Sequence, residues 1–248
     1  MGMFIGPNGF GKTGAAASFH KAGPMKFYDF DGRMSTVKLL YPDADITYVT
    51  YGPENFITFQ EDYQLDCKMN KYATLVIDSF TSLSMTTITF QMRLKGVDKG
   101  KILRSGLAVT TWDEINGETM LISMLIDTLK MFRGNVIFTA HPINKTEITS
   151  GGSNKVRTIA AYGNKIPQIA PGYFDEIYTF DIHSSGNPDV PPKRVIYTIP
   201  VMGDFGKSSL GLPQKVEFDS FGKTDLPLYD KLTKILSERG IKLGGSFG

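Results

Sequence analysis

The alternation of apolar and polar positions along the chain predicts short strands separated by helices. Continuous apolar runs at 72–77 and 136–140 are typical of strands buried on both faces of a sheet. Further strands are predicted at 3–5, 25–30, 46–51, 174–181 and 194–200. Helices are predicted at 13–22, within 54–70, at 118–132 and at 228–239. This order predicts an α/β protein with a mostly parallel central sheet and helices on both faces.

Two polar stretches interrupt the pattern. Residues 94–116 are rich in glycine and charge, and residues 142–161 are polar with glycines at their centre, so we predict loops in both places. We assign residues 1–212 to a core domain. Residues 213–248 form a C-terminal extension with one predicted helix, which belongs either to the same domain or to a tail.

Composition and charge narrow the class of protein. A chain of 248 residues with 41% hydrophobic residues can bury one good core. We find neither an apolar run of the roughly 18 residues that a membrane span needs nor a secretory signal, so we expect a cytoplasmic protein without a membrane partner. The single cysteine, Cys67, excludes an internal disulfide. Because the net charge is only +2, a nucleic-acid surface would have to come from local basic clusters.

Residues 6–13, GPNGFGKT, match the phosphate-loop pattern G-x-x-x-x-G-K-[ST] at every fixed position. Glycines let backbone N–H groups turn inward around an anion, and a helix that begins at about Lys12 adds its positive dipole end. We expect Lys12 to contact the β- and γ-phosphates of ATP and Thr13 to bind Mg²⁺. The remaining residues of the expected cofactor site are Gly6, Pro7, Asn8, Gly9, Phe10 and Gly11, with the Phe10 ring directed away from the phosphates.

Acidic side chains follow two of the predicted strands. We expect Asp78 in the coordination shell of Mg²⁺; a helix cap is the alternative. Asp29 and Asp31 lie on one side of the strand at 25–30, because they are two residues apart. We expect Asp31, which is nearer to the carboxyl end, to orient or deprotonate the attacking water. The alternative is a plain Asp-Gly turn.

His141 follows the strand predicted at 136–140, which we expect beside the strand that leads into the phosphate loop. A polar side chain there can sense the γ-phosphate and pass its presence to the next segment of chain. The alternative is a structural histidine. We count His141 with Lys12, Asp31 and Asp78 as the catalytic set.

Four ordered motifs resemble the RecA-like branch of P-loop ATPases. Besides the phosphate loop, FYDFD at 27–31 is similar to the family's strand that ends in a catalytic glutamate, LVIDSFTSL at 75–83 to its Walker B strand, and VIFTAH at 136–141 to its sensor strand. Over residues 3–182 the chain most resembles phage-encoded RecA-like ATPases of the Sak single-strand-annealing type. The resemblance implies a RecA-like core that hydrolyses ATP with Mg²⁺ in the host cytoplasm. Asp31 stands where that family has glutamate, which implies slower hydrolysis or a repositioned water.

The resemblance also implies a ring or filament in which a basic residue of one subunit reaches the γ-phosphate of its neighbour. Lys155 and Arg157, in the loop predicted after His141, are the candidates. An arginine in this role raises the rate by ~10³–10⁵. Simple exposure to solvent is the alternative for both residues.

Two basic stretches are candidate contacts with single-stranded DNA, because the resemblance places them in the loops after the Walker B and sensor strands. One contains Lys145 together with Lys155 and Arg157. The other contains Arg93, Lys95, Lys99, Lys101 and Arg104. Lysine and arginine along a nucleic-acid backbone give strongly salt-dependent binding. Aromatic stacking partners are few, with only Trp112 and Tyr162 at the margins, so solvated faces are the alternative.

The leading hypothesis is an ATP-dependent, RecA-like protein that acts on single-stranded DNA in phage-type recombination or annealing. A single-stranded-DNA-binding protein is a further candidate partner. A second hypothesis, favoured by the near-neutral charge, is a helicase-loader or assembly ATPase with a protein partner. A third is a nucleotide-binding regulator that barely hydrolyses, which the substitution at Asp31 permits.

Overall fold

The computed structural model describes residues 1–94, 112–149, 152–163, 165–184, 186, 192–200, 205–219 and 225–241, with only the backbone course for 145–149 and 152–157. The strands are β1 (Gly2–Ile5), β2 (Met25–Asp29), β3 (Ile46–Thr50), β4 (Thr74–Asp78), β5 (Asn135–Ala140), β6 (Pro142–Thr149), β7 (Gly152–Ile159), β8 (Glu176–His183), β9 (Lys193–Tyr197), β10 (Lys207–Ser208) and β11 (Lys215–Phe218). The α-helices are α1 (Lys12–Ala17), α2 (Ser35–Leu40), α3 (Phe56–Met69), α4 (Phe80–Leu94), α5 (Trp112–Leu129), α6 (Lys165–Ile169) and α7 (Leu228–Ser237).

Nine strands form one mixed sheet in the order β11-β9-β8-β1-β5-β4-β2-β3, with β10 paired to β8. The six strands from β8 to β3 in this order are parallel, whereas β9 runs antiparallel to β8, and β11 antiparallel to β9. The expected α/β core with a mostly parallel sheet is confirmed. Its consequence for chemistry is that the carboxyl ends of β1, β2, β4 and β5 meet at one edge of the sheet.

Alternate residues of the central strands supply two apolar cores, one on each face of the sheet. Leu75 and Ile77 of β4 belong to the core that includes α3, α4 and α5, and Val76 between them belongs to the core of α1, α2 and α7. The helices on both faces are therefore confirmed as well. Among the described residues, no helix combines the length and the apolar character that crossing a bilayer requires.

Several segments differ from the sequence-based expectation; α5, for example, begins at Trp112, inside the loop predicted at 94–116. No helix is predicted from the sequence at α4. Its threonines have low helix propensity, and burial of Leu83, Ile88 and Met92 stabilises it. The loop predicted at 142–161 is instead a hairpin, since β6 and β7 pair in register from Pro142 opposite Ile159 to Thr149 opposite Gly152. The hairpin emerges directly after β5.

The carboxyl-terminal segment packs on the second core. β11 pairs with β9, and Leu228, Leu232 and Leu236 of α7 are buried at a spacing of four residues. Ser18 joins α7 to the phosphate-loop helix: its Oγ donates to the carbonyl of Ala15 at 2.6 Å and accepts the N–H of Tyr229 at 3.0 Å. The helix predicted at 13–22 accordingly changes after Ala17 into a 3-10 helix over Ser18–Ala22.

We expect Gly134→Ala to lower the free energy of unfolding by about 1–3 kcal/mol, because overpacking forces the backbone to shift. A Cβ atom there would lie 2.4 Å from the carbonyl oxygen of Ala73, where β4 and β5 begin to pair. The matched control is Gly172→Ala, since a Cβ atom at Gly172 meets nothing within 4 Å. Urea unfolding of both variants tests this, and equal stabilities would contradict the close approach.

Candidate active site

The loop after β1 has the backbone geometry of a phosphate-binding loop. Gly9 and Gly11 have φ angles of 80° and 91°, in the left-handed region where residues with side chains are strained. A Cβ atom at Gly6 would lie only 2.7 Å from the Cβ of Phe180, so the loop leaves β1 in close contact with β8. Because α1 begins at Lys12, the positive end of its dipole lies at the end of the loop.

The Lys12 side chain is folded into this loop and is only 6% exposed. Its Nζ donates to the carbonyl oxygens of Gly6 and Pro7 at 2.6 and 2.9 Å. Burial lowers the pKa of Lys12 to about 8, with Asp78 and Asp31 opposing this shift and the charge of Arg33 adding to it. The ammonium is thus an incompletely neutralised cation at the bottom of the site.

Asp78 ends β4 and lies in the middle of the site, where it is 3% exposed. One carboxylate oxygen accepts the hydroxyl of Thr13 at 2.9 Å, and the other accepts the hydroxyl of Thr139 in a short hydrogen bond. Burial raises the pKa of Asp78, against these two hydrogen bonds. The peptide bond between Asp78 and Ser79 is cis. The arrangement brings together the two residues that were expected to share Mg²⁺.

Asp29 and Asp31 have different surroundings. Asp29 is 1% exposed, and its Oδ1 accepts the N–H groups of Asp31 and Gly32 at 3.0 and 2.8 Å. Gly32 has a φ of 67°, so a tight turn follows β2. The turn that was weighed as an alternative is therefore present, and its geometry presents Asp31 to the site.

The Asp31 carboxylate accepts hydrogen bonds from the start of α4. Ser79 donates to its Oδ1 at 3.1 Å, and Ser82 donates to the same atom in a shorter bond. Burial raises the pKa of Asp31, but the interactions with His141, Ser82 and Ser79 outweigh it and hold the pKa at about 2. Asp31 is therefore ionised at neutral pH.

His141 lies between Lys12 and Asp31. Its Nδ1 is 3.4 Å from Lys12 Nζ, and its Nε2 is 3.7 Å from Asp31 Oδ2. Its backbone N–H donates to Thr81 Oγ1 at 3.1 Å, and β5, which precedes it, pairs with β1. The imidazole thus connects the phosphate-loop lysine to the acid after β2.

These side chains line a cavity of about 280 Å³ at the carboxyl edge of the sheet. From the predicted set, the cavity contacts Asn8, Gly9, Gly11, Lys12, Thr13, Asp31, Asp78 and His141. It also contacts Gly14, Arg33, Thr36, Leu40 and Arg194. Gly6, Pro7 and Phe10 do not line it, and Phe10 packs against the core on the α1 face, as was expected of its ring.

Sequence reasoning missed two basic residues of this cavity. Arg33 follows the Asp31-Gly32 turn, so the turn weighed for Asp31 could have pointed to it. Arg194 lies near the amino-terminal end of β9, opposite Ile182 of β8 in register. Because β9 is antiparallel to β8, the first residues of β9 lie at the carboxyl edge of the sheet. The apolar run at 194–200 predicts a strand there but does not predict whether that strand is parallel or antiparallel to its neighbour.

Hydrogen bonds connect the base of the hairpin after His141 to α4 and α5. The N–H of Tyr162 donates to Ser84 Oγ at 2.8 Å, and the N–H of Gly163 donates to Glu118 Oε2 at 3.0 Å. Ser84 in turn donates to Glu118 in a short hydrogen bond, and burial raises the pKa of Glu118. Lys145 lies in β6 of this hairpin, and Lys155 and Arg157 lie in β7.

The other candidate DNA contacts, Lys95, Lys99, Lys101 and Arg104, lie outside the described residues. Arg93, at the end of α4, pairs with Glu54 at 3.5 Å. Trp112 is 73% exposed at the start of α5, and Tyr162 is 40% exposed at the hairpin base. Both aromatic rings are thus accessible at the margins of the two basic stretches.

The donor atoms fit a magnesium ion that is shared with a nucleotide. Among the described residues there is no group of three or more His, Cys, Asp or Glu that could hold a metal. The adjacent oxygens of Thr13 and Asp78 would therefore supply only part of the octahedral shell that Mg²⁺ prefers. Phosphate oxygens and water would complete it, as is usual where Mg²⁺ binds with a nucleotide.

Comparison with known proteins places the chain in a family. A family model described as an AAA domain matches residues 1–210, which is most of the chain and includes every site residue described above. A search of curated proteins finds no match.

We expect nucleotide affinity to fall above pH ~8, because Lys12 has a pKa of about 8 and bound phosphates favour its charged form. The dissociation constant of ADP should rise by up to about tenfold per pH unit above this point, since binding then takes up a proton. Fluorescent-ADP titrations from about pH 7 to 9.5 measure this. The control is Lys12→Arg, whose guanidinium stays protonated, so its profile should be flatter. A flat wild-type profile would contradict the assignment.

Proposed function

Since the chain belongs to the AAA-domain family of P-loop ATPases, we propose that it is a magnesium-dependent ATPase of the RecA-like type. We further propose that it acts on single-stranded DNA in phage-type recombination or annealing. The observation that carries the first proposal is the convergence of Lys12, Thr13, Asp78, Asp31 and His141 on one cavity. The resemblance of the motifs and the position of the hairpin support the second.

Five residues of the cavity have a proposed part in hydrolysis. Lys12 holds the β- and γ-phosphates, and Thr13 and Asp78 hold the magnesium shell. Mg²⁺, when bound, neutralises charge on the phosphate oxygens. Asp31 directs a water molecule toward the γ-phosphorus. His141, between Lys12 and Asp31, contacts the γ-phosphate and links it to β5 and the hairpin.

The environment of Asp31 favours positioning of water over proton abstraction. A carboxylate with a pKa of about 2 accepts hydrogen bonds well but is a weak base. Its oxygen is already bonded to Ser79 and Ser82, so its orientation is fixed before water arrives. The side chain is one methylene shorter than glutamate, which agrees with a slow basal ATPase that an activator stimulates.

The hairpin is the proposed contact with single-stranded DNA. It follows His141 directly, and Lys145, Lys155 and Arg157 give it basic character. At its base, the N–H of Tyr162 donates a hydrogen bond to Ser84 of α4. The first turn of the same helix donates a hydrogen bond from Ser82 to Asp31. A change in the hairpin on DNA binding can therefore reach the water-positioning acid through one helix.

Self-association into a ring or filament is proposed with this function. Lys155 and Arg157 are then candidates to reach the γ-phosphate of a neighbouring subunit. They occupy alternate positions of β7, opposite Thr146 and Asn144, and so belong to the same face of the hairpin. A single-stranded-DNA-binding protein is a further proposed partner, because DNA substrates of annealing are commonly covered by such proteins.

A second candidate is an assembly or helicase-loading ATPase that acts on protein. It is favoured by the near-neutral charge and by exposed methionines on α5 and just beyond it: Met120, Met124 and Met131 are 60%, 54% and 74% exposed. Methionine-rich surfaces suit adaptable protein contacts. The third candidate, a regulator that barely hydrolyses, rests on the short Asp31 side chain.

ATP turnover with and without single-stranded DNA, together with light scattering, separates these candidates. We expect Mg²⁺-dependent phosphate release that DNA stimulates. The stimulation should fall steeply as the salt concentration rises. DNA-independent turnover would favour the protein-directed ATPase. Nucleotide binding without phosphate release would favour the regulator.

We expect Asp31→Asn to lower kcat by about 10²-fold, because the neutral amide loses the charge that positions water. ADP affinity should stay close to that of the wild type, since Asp31 is not expected to contact the β-phosphate. Asp43→Asn, an exposed acid just beyond α2, is the matched control. Unchanged turnover in Asp31→Asn would remove Asp31 from the proposed mechanism.

A further inference from the structure

A second cation, Arg33, lines the cavity together with Lys12, Asp31 and His141. No part of the motif pattern or of the family match assigns it a role. We propose that Arg33 binds the terminal phosphate of the nucleotide in the same subunit and stabilises the charge that develops there during hydrolysis. This inference rests on the proposed ATPase function and adds a residue to that site.

The backbone of Arg33 is fixed from both sides. On one side, the Asp29 carboxylate holds the N–H groups of Asp31 and Gly32 in a tight turn. On the other, Met34 is 5% exposed and belongs to the core on the α1 face. The side chain of Arg33 therefore starts from a rigid point at the cavity wall rather than from a free loop.

Arg33, Thr36 and Leu40 form one wall of the cavity. Their spacing of three and four residues places them on the same side of α2 and the turn before it. The Arg33 side chain is exposed, and it makes no hydrogen bond or ion pair with another residue in the described part of the chain. Its five N–H donors are thus available for an anion.

The charge of Arg33 acts on Lys12, whose pKa it helps to lower. Two cations in one cavity repel each other, and an anion bound between them attracts both and offsets the repulsion. Asp31 does not pair with Arg33: its Oδ1 accepts hydrogen bonds from Ser79 and Ser82, and its Oδ2 faces His141 Nε2 at 3.7 Å. The required ligand is therefore an external anion that reaches both cations, as a triphosphate chain does.

Arg33 shares the cavity with Asp31, which is proposed to direct water toward the γ-phosphorus. We therefore assign Arg33 to the terminal phosphate. In hydrolysis the water oxygen forms a bond to the γ-phosphorus, and the bond to the β–γ bridging oxygen breaks. ADP leaves with that electron pair, and a proton of the water passes to a phosphate oxygen or to solvent. Charge is spread over the equatorial γ-oxygens meanwhile, and a guanidinium matches two of them at once.

This assignment makes the site complete within one chain for basal turnover. A neighbour's Lys155 or Arg157 would then add to the rate in an assembly but would not be required for it. The two arrangements differ in a measurable way, because a residue that acts in its own subunit cannot be replaced by a second copy of the protein.

The first test measures binding, which does not depend on hydrolysis. Fluorescence titration gives the affinities of a non-hydrolysable ATP analogue and of ADP. In Arg33→Ala the preference for the analogue over ADP should fall by about 10- to 100-fold, as expected for loss of a hydrogen bond between charged groups. Arg33→Lys should recover part of it. Lys38→Ala, which removes a cation of α2 that lies over the Tyr48 ring, is the control and should match wild type.

An unchanged preference in Arg33→Ala would overturn the proposal even if the protein hydrolyses ATP. Conversely, if the wild type shows no turnover, the proposed ATPase function fails, and the binding preference still decides the role of Arg33. The two failures are therefore distinguishable.

The second test places the residue in its own subunit or in a neighbour. Arg33→Ala should lower kcat by about 10²–10³, similar to the loss of one preorganised donor to a developing oxyanion. Mixing it with Lys12→Ala, whose Arg33 is intact, should restore no turnover. A mixture of wild type and Lys12→Ala is the control, because it measures any inhibition by the Lys12→Ala subunits. Recovery of turnover on mixing would show that Arg33 acts on a neighbour and would overturn the proposal.

Discussion

The site depends on the buried carboxylate of Asp78. Its two oxygens accept hydroxyl hydrogen bonds from Thr13 at the start of α1 and from Thr139 in β5. One side chain therefore ties together β4, the strand beside it and the phosphate-loop helix. Burying a carboxylate is unfavourable, and the raised pKa of Asp78 reflects this. The parallel sheet, which brings these strand ends to one edge, is what makes the arrangement possible.

The first turns of α4 extend this organisation outward. Ser79 and Ser82 donate hydrogen bonds to the Asp31 carboxylate. Thr81 accepts the backbone N–H of His141, and Ser84 accepts the N–H of Tyr162 at the hairpin base. The hydroxyls that weaken this segment as a helix are thus the groups that fix the site. Rotation or translation of α4 would move the acid, the histidine and the hairpin together. Under the proposed function, this is the route by which DNA bound at the hairpin alters hydrolysis.

The sequence predicted the parts of this molecule that are locally encoded. The phosphate loop is one continuous motif, and Asp78 and His141 directly follow apolar runs, so strand order alone brings them to one edge. Arg194 could not be found in this way, because its position depends on the antiparallel direction of β9. The polar residues at 142–161 predict a loop, because their pattern does not reveal the pairing of β6 with β7. α4 was missed because burial of its apolar side, not propensity, stabilises it.

Single-turnover hydrolysis of ATP shows whether this cavity is a hydrolytic site. With protein in excess over ATP, one round of phosphate release reports chemistry without product release or assembly turnover. We expect release in the presence of Mg²⁺, none with a chelator, and none above background in Lys12→Ala. ATP that remains intact in the presence of Mg²⁺, while still bound to the protein, would contradict a hydrolytic site at this cavity.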